Sequence, residues 1–248
     1  MEKYGLIGRP LGHSFSAGYF AEKFSREGID AEYVNYPLPD VEHHLLPLIE
    51  ANDELRGLNV TIPYKQDVIP FLDDISPDAR AIGAVNVIAI KRVEGRPRLK
   101  GFNSDVIGFK RSLQPLLKPH HRRALVLGTG GASKAVVYGL RSLGIEPTYV
   151  SRTAREGVLS YDELTLQTVA DNLLIVNCTP LGMFPNVETR PAIPYECLTP
   201  RHLLYDLVYN PTETAFLAAG RDRGCTTKNG LEMLHIQAEA SWEFWHEV

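Results

Sequence analysis

The chain is poor in cysteine and has no long apolar run. Its three cysteines, Cys178, Cys197 and Cys225, are too few and too scattered for a disulfide framework or a cysteine-rich zinc site. No apolar stretch approaches the roughly 20 residues that cross a bilayer. The N-terminal residues Met1–Gly5 lack the features of a signal peptide. We therefore expect a cytoplasmic protein that binds no metal and no membrane.

The chain also lacks a strong excess of charge of either sign. Its formal net charge of −4 gives no reason to expect nucleic acid or an anionic surface as a partner. An anion bound by this protein must therefore be held by a local site. A hydrophobic fraction of 44% is ordinary for a protein with a core, and 248 residues fit one or two domains.

Short β-like runs alternate with helical segments, as is typical of α/β proteins. In the first half, the predicted strands are Tyr4–Ile7, Glu32–Tyr36, Leu58–Ile62 and a hairpin of Val85–Ile90 with Arg98–Phe102. The predicted helices there are Ala17–Glu27, Val41–Ala51 and Tyr64–Leu72. A second series has strands at Ala124–Leu127, Thr148–Ser151, Leu173–Cys178 and Leu203–Val208, with helices at about Ala132–Leu143 and Leu231–Val248. Two α/β units are predicted, with a boundary around Asn103–Pro119.

A glycine-rich turn opens the second series. It consists of Gly128, Thr129, Gly130, Gly131 and Ala132, between a predicted strand and a predicted helix. Such a turn lets the backbone approach a pyrophosphate at a helix N-terminus. Ser133 stands where the usual motif has its third glycine, and an ordinary tight turn is the alternative. The strand before it and the helix after it favour a dinucleotide site.

The residues after the next strand indicate which dinucleotide is bound. NAD sites usually carry an acidic residue there, whereas an arginine accommodates the 2′-phosphate of NADP. This chain has Ser151, Arg152 and Thr153, followed by Arg155. The alternative is a solvated pair of surface arginines. The position of Arg152 and the absence of an acid favour NADP.

Polar side chains cluster at the predicted strand ends of the first half. Taken singly, each has an ordinary structural explanation: Ser14 or Ser16 as a helix cap, Asn86 as a turn residue, Lys65 on a solvated helix face. Together they form four motifs, GRPLGHSFS (8–16), NVTIPYK (59–65), GAVN (83–86) and GFNSD (101–105). In this order they resemble the substrate motifs of shikimate dehydrogenases.

The resemblance continues through the second half. It includes the glycine-rich turn, NCTP (177–180), YDLVYNP (205–211) and NGLEMLHIQ (229–237), and so covers almost the whole chain. It implies an α/β fold of two domains that meet at a cleft. A mostly parallel substrate-binding and catalytic domain is expected at 1–103 plus about 228–248, and a Rossmann-type NADP-binding domain at about 104–227. Trp242 and Trp245 are expected to pack into a core.

The resemblance also implies the reaction, which is the NADP-dependent reversible reduction of 3-dehydroshikimate to shikimate, on the route to chorismate and the aromatic amino acids. Ser14 and Ser16 are expected to hold the substrate carboxylate, with Tyr209 nearby. The residues expected to contact the ring hydroxyls are Asn59, Thr61, Asn86, Asp105 and Gln237. Lys65 and Asp105 form the expected catalytic pair. A lysine can stabilise the developing alkoxide and donate its proton, and a carboxylate can accept from a neighbouring hydroxyl.

For the cofactor, the expected contacts are the glycine-rich turn, Arg152 with its neighbours, Thr179, Leu207 and Gly230. Leu207 and Gly230 are expected to border the nicotinamide. The second basic residue of the family stands one position later than Arg155, so Arg155 departs from the pattern. The expected partner is a small molecule, and the chain is expected to be a monomer or a homodimer.

Two alternatives stay open from the sequence. A quinate/shikimate dehydrogenase would use a broader substrate range or NAD, although two serines at the carboxylate site favour shikimate. A catalytically silent dinucleotide-sensing module would use the fold for regulation, although the intact pair of Lys65 and Asp105 argues against it.

Overall fold

The computed structural model describes residues 1–11 and 15–247, and it divides the chain into two compact units. The first unit is Met1–Ser104 with Gln237–Val248, and the second is Asp105–Ile236. Each unit contains one six-stranded sheet. The two α/β units predicted from the alternation of strands and helices are thus confirmed.

The elements of the first unit follow the predicted order. They are β1 (Glu2–Gly8), α1 (Phe15–Glu27), β2 (Ala31–Pro37), α2 (Leu45–Glu50), β3 (Leu55–Val60), β4 (Asp74–Ile75), α3 (Pro77–Ile82), β5 (Val87–Val93) and β6 (Arg96–Phe102). The strand order is β2-β1-β3-β5-β6-β4. β5 and β6 form the predicted hairpin, with its turn at Glu94 and Gly95, which both have positive φ.

Two predicted helices of this unit differ from the structure. The expected helix Tyr64–Leu72 is wrong: the segment is a series of turns that ends in a 3₁₀ helix, Ile69–Phe71. Pro70 has no N–H to donate to an α-helical ladder, so the chain leaves the helical path there. The helix expected at Val41–Ala51 is shorter in the structure, where it is α2 (Leu45–Glu50). Because proline is tolerated in the first turn of a helix but not in its interior, the helix begins just before Pro47.

Both faces of the first sheet are covered. One face packs on a cluster that includes Leu58 and Val60 of β3. The other face packs on aromatic residues that include Trp245 of the last helix, α8 (Leu231–His246). The predicted core packing of Trp242 and Trp245 is confirmed, and a side chain at Gly57 would clash with the Trp245 ring.

The second unit is built on a wholly parallel sheet. Its elements are α4 (Asp105–Leu113), β7 (Arg123–Leu127), α5 (Gly131–Ser142), β8 (Glu146–Ser151), β9 (Val158–Ser160), α6 (Leu166–Asp171), β10 (Leu174–Asn177), β11 (Leu203–Asp206), α7 (Ala215–Arg221) and β12 (Thr226–Lys228). The order β12-β11-β10-β7-β8-β9 reverses between β7 and β10. This is the doubly wound Rossmann arrangement, in which ligands bind outside the carboxyl ends of the strands at the point of reversal.

Two further features bear on the class of protein. Among the described residues, no helix is both long and apolar enough to cross a membrane. The same residues contain no group of three histidine, cysteine or acidic side chains arranged to hold a metal ion.

Candidate functional site

In the first unit, the carboxyl ends of β1 and β3 are joined by backbone hydrogen bonds. The Thr61 amide donates to the carbonyl of Ile7 at 2.9 Å, and the Arg9 amide donates to Ile62 at 3.0 Å. Gly8 has no room for a Cβ atom because the Thr61 methyl group lies against it. The motifs that begin at Gly8 and at Asn59 therefore meet at this edge of the sheet.

The two predicted carboxylate-binding serines belong to the segment that follows β1. Ser16 is the second residue of α1 and is half-buried. Ser14 lies outside the described residues. The structure thus places one of the two serines.

Lys65 and Asn86 are brought close by the backbone. The amide of Val85 donates to the Lys65 carbonyl at 2.7 Å, and the Lys65 side chain is half-buried. Asn86 is buried, and its Oδ1 accepts the Ser104 amide at 2.7 Å. The NVTIPYK, GAVN and GFNSD motifs therefore converge at the ends of β3, β5 and β6.

Asn59 has a protein partner on each side of its amide. Its Oδ1 accepts from the Tyr33 hydroxyl at 2.8 Å, and its Nδ2 donates to Ser241 Oγ at 3.0 Å. Burial raises the pKa of Tyr33, which keeps the phenol protonated as a donor. Ser241 Oγ also lies 3.1 Å from Ser104 Oγ.

This polar chain connects α8 to the predicted substrate residues. Ser241 Oγ donates to the Gln237 carbonyl at 2.7 Å, one helical turn earlier. Residues four apart lie on the same helix face, so Gln237 faces the same side of α8 as Ser241. Tyr33 and Ser241 were not predicted as site residues, because a tyrosine in a strand and a serine in a helix carry no motif of their own.

In the second unit, a cavity of about 420 Å³ lies at the carboxyl edge of the sheet. Its lining joins three separate predicted segments: the glycine-rich turn, the end of β8 and the residues after β10. The lining residues are Gly128, Thr129, Gly130, Ser151, Arg152, Tyr161, Cys178, Thr179, Pro180 and Leu181. Six of these were predicted as cofactor contacts.

The glycine-rich turn has the geometry that an anion needs. Gly128 has a φ of +103°, a conformation that L side chains rarely adopt, and its position lies against Thr179 and Cys178. Among the described residues, nothing lies within 4 Å of a Cβ built at Gly130 or Gly131. No side chain of the described residues caps α5 at Gly130, so the first amides of the helix face open space. Ala132 follows in the first turn of α5.

Ser133 occupies the position of the third glycine of the usual motif. The residue is fully buried, and its hydroxyl donates to the Gly130 carbonyl at 2.7 Å. The small side chain therefore turns back onto its own helix, and α5 still packs closely on the sheet.

The arginines after β8 lie in different places. Arg152 lines the 420 Å³ cavity, is exposed, and makes no ion pair with any described residue. Arg155 lines a separate depression with Pro147, Gly157 and Glu163. A short bridge between the backbones of Arg155 and Val158 fixes this turn. Thr153 is exposed and does not line the cavity.

Four further predicted residues, Leu207, Gly230, Asp105 and Tyr209, belong to the second unit. Gly230 packs against the backbone of Leu207 so closely that a Cβ atom would clash with the Leu207 carbonyl. Asp105 is buried at the start of α4. Tyr209 is exposed, three residues after the end of β11.

The residues of this cavity fit a dinucleotide. The Tyr161 hydroxyl is buried at the cavity wall and has no hydrogen-bond partner among residues 1–11 and 15–247, which is costly unless a ligand supplies one. An uncapped helix N-terminus and an unpaired guanidinium suit phosphate groups. The fold and the site therefore define a Rossmann-type dinucleotide-binding α/β protein.

Comparison with known proteins gives the family. A model of the shikimate dehydrogenase substrate-binding domain matches residues 6–88. A shikimate dehydrogenase (NADP(+)) from Caldicellulosiruptor saccharolyticus is 35% identical over 272 residues, which cover 100% of this chain and 93% of the relative. The chain belongs to the shikimate dehydrogenase family, as its motifs predicted.

Solved structures agree. Shikimate 5-dehydrogenase from Thermus thermophilus, in complex with NADP(H) and shikimate, matches with a TM-score of 0.85 and 32% identity over 100% of this chain and 94% of that one. Quinate dehydrogenase from Corynebacterium glutamicum, in complex with NAD, matches with a TM-score of 0.86 and 28% identity over 100% and 94% of the two chains. The predicted fold class is confirmed.

Proposed function

We propose that this protein catalyses the reversible, NADP-dependent reduction of 3-dehydroshikimate to shikimate. The observation that carries the proposal is the cavity of the second unit, which is lined by Arg152 together with Gly128, Thr129 and Gly130 of the glycine-rich turn. The full-length relatives named as NADP-dependent shikimate dehydrogenases support it, and the predicted enzyme class and cofactor are confirmed by them.

The quinate and NAD alternative is less well supported. The end of β8 carries Arg152 and no acidic residue, which suits a 2′-phosphate. The curated relatives that match along the chain are named for shikimate and NADP. The regulatory alternative has no observation in its favour.

Bound NADPH supplies the hydride for the substrate carbonyl. The protein must then stabilise negative charge on the carbonyl oxygen and provide a proton. We assign this task to the Lys65 ammonium. Asp105 is proposed to accept from a neighbouring substrate hydroxyl and so to fix the ring.

The substrate carboxylate is proposed to bind Ser14 and Ser16, with Tyr209 nearby. Thr61 and Gln237 are proposed to contact the ring hydroxyls directly. The amides of Asn59 and Asn86 are held by Tyr33, Ser241 and Ser104. The side chains of Asn59 and Asn86, which are proposed to contact the ring hydroxyls, are therefore oriented by the protein before substrate binds.

The test is Lys65→Ala with purified enzyme. Loss of the charge that stabilises the alkoxide should lower kcat by about 10²–10⁴-fold, with a much smaller change in KM. Lys91→Ala, an exposed lysine on β5, is the matched control and should leave kcat unchanged. Near-normal turnover of Lys65→Ala would remove Lys65 from the mechanism. The cytoplasmic location and the monomeric or dimeric state remain predictions.

A further inference from the structure

Asp206 is a fully buried carboxylate at the end of β11, in the YDLVYNP motif, to which the reaction assigns no role. Its register partner in β10 is Asn177, which is also fully buried. Both residues therefore lie at the carboxyl edge of the sheet, where the chain continues into residues 178–181, which line the cofactor cavity, and into residues 207–208.

One oxygen of Asp206 holds both of these segments. Oδ1 accepts from Asn177 Nδ2 at 2.9 Å and from the Val208 amide at 3.0 Å. Val208 directly follows Leu207, whose backbone packs on Gly230. The carboxylate thus fixes the turn that presents Leu207.

Asn177 in turn holds Thr179, a residue of the cavity wall, in place. Its Oδ1 accepts from the Thr179 amide at 3.0 Å and from the Thr179 hydroxyl at 2.6 Å. Thr179 lines the cavity and packs against Gly128 of the glycine-rich turn. Because Asp206 takes the Asn177 Nδ2, the Asn177 Oδ1 is left facing Thr179.

The second oxygen connects Asp206 to α7. Oδ2 accepts from the Thr214 hydroxyl at 2.6 Å, and Thr214 Oγ1 in turn accepts the Leu217 amide at 3.3 Å as the helix N-cap. Asn177, Val208 and Thr214 all donate to Asp206. A set made only of donors suits an ionised carboxylate and not a carboxylic acid.

We propose that the ionised Asp206 is a positioning residue for the cofactor, holding residues 177–181 and 206–208 in the arrangement that binds NADP. The proposal rests on the proposed function. It predicts that protonation of Asp206 loosens both segments and weakens NADP binding, while the fold persists.

The protonation falls within a measurable pH range. Burial raises the pKa of Asp206 to about 6, while the hydrogen bonds from Thr214, Val208 and Asn177 favour the carboxylate. Among the described residues, Cys178 and Tyr195 interact electrostatically with Asp206, and burial raises the pKa of both, so they stay neutral. NADP affinity should therefore fall as the pH drops through about 6.

The experiment is isothermal titration calorimetry with NADP⁺ from about pH 5 to about pH 8, with circular dichroism at each pH to confirm the fold. Asp206→Asn should weaken binding by about 10–100-fold at neutral pH, since one acceptor becomes a donor. The 2′-phosphate of NADP also titrates near pH 6. Because it does so in every variant, the difference between the wild-type and Asp206→Asn profiles isolates Asp206. Asp222→Asn, an exposed aspartate of the same unit, is the control.

A second pair of variants tests the mechanism even if Asp206→Asn does not fold. Thr214→Val removes a donor that favours the carboxylate, so the pH midpoint of NADP binding should move upward. Thr214→Ser keeps the hydroxyl and should keep the midpoint. An unmoved midpoint in Thr214→Val, or wild-type affinity and pH profile in Asp206→Asn, would overturn the proposal. Failure of the wild type and Asp222→Asn to bind NADP would instead overturn the proposed function.

Discussion

Ser151 and Ser160 are register partners in the neighbouring parallel strands β8 and β9. The residues that follow them, Arg152 and Tyr161, therefore leave the sheet at the same edge, and both line the same cavity. The 3₁₀ turn that begins at Tyr161 is fixed by a capping box between Ser160 and Glu163. The wall of the proposed cofactor site is thus set by strand pairing and not by the glycine-rich turn alone.

Arg152→Ala should raise KM for NADP by about 10–100-fold and leave KM for NAD nearly unchanged, because only NADP carries the 2′-phosphate. Steady-state kinetics with both cofactors measures this. Arg223→Ala, an exposed arginine of the same unit, is the control. Arg155→Ala should have a smaller effect than Arg152→Ala, since Arg155 lines another depression. Equal losses for NADP and NAD would show that Arg152 has a structural role.

Tyr161→Phe should separate stability from binding. The buried hydroxyl has no hydrogen-bond partner in the part of the chain that the structure describes, so its removal should leave the free energy of unfolding unchanged or higher. If the cofactor forms a hydrogen bond with this hydroxyl, the affinity for NADP, measured by calorimetry, should fall severalfold. Tyr195→Phe is the contrast: its hydroxyl donates to Pro191 at 2.7 Å, so this variant should lose about 1 kcal/mol. A clear loss of stability in Tyr161→Phe, with unchanged NADP affinity, is the contrary result.

Ser241→Ala tests the polar chain behind the substrate residues. Without its hydroxyl, Asn59 and Ser104 each lose a partner, so KM for shikimate should rise by about 3–10-fold with unchanged NADP affinity. Ser112→Ala is the matched control, because Ser112 is equally buried and belongs to the second unit. It should lower the free energy of unfolding without raising KM for shikimate. The idea fails if both serine variants change KM alike.

Most strands could be predicted from the sequence. Short, continuous apolar runs such as Ala124–Leu127 and Leu203–Val208 are typical of strands in a parallel sheet, which is buried on both faces. It failed at Tyr64–Leu72, where an apparently helical pattern contains Pro70. It did not predict β4, β9 or β12, which have two or three residues each. Strands this short carry no periodicity and form only because a longer neighbour pairs with them.

Residues of the candidate cofactor site could be predicted from the sequence where they belong to a recognisable motif. Six residues predicted as cofactor contacts line one cavity: Gly128, Thr129, Gly130, Ser151, Arg152 and Thr179. Gly131 and Ala132 of the glycine-rich turn do not line it. Tyr161 could not be predicted, because it reaches that cavity through the pairing of β9 with β8. The hydrogen bonds of Asp206 and Ser241 likewise depend on partners 29 and 182 residues away in the chain. No local pattern encodes such contacts.

The most direct test is oxidation of shikimate and of quinate, each with NADP⁺ and with NAD⁺, followed by the absorbance of the reduced nicotinamide. We expect the highest kcat/KM for shikimate with NADP⁺, and loss of most of this activity in Lys65→Ala. Higher kcat/KM for quinate with NAD⁺, or no reduction of either cofactor by the folded protein, would contradict the proposed NADP-dependent shikimate dehydrogenase activity.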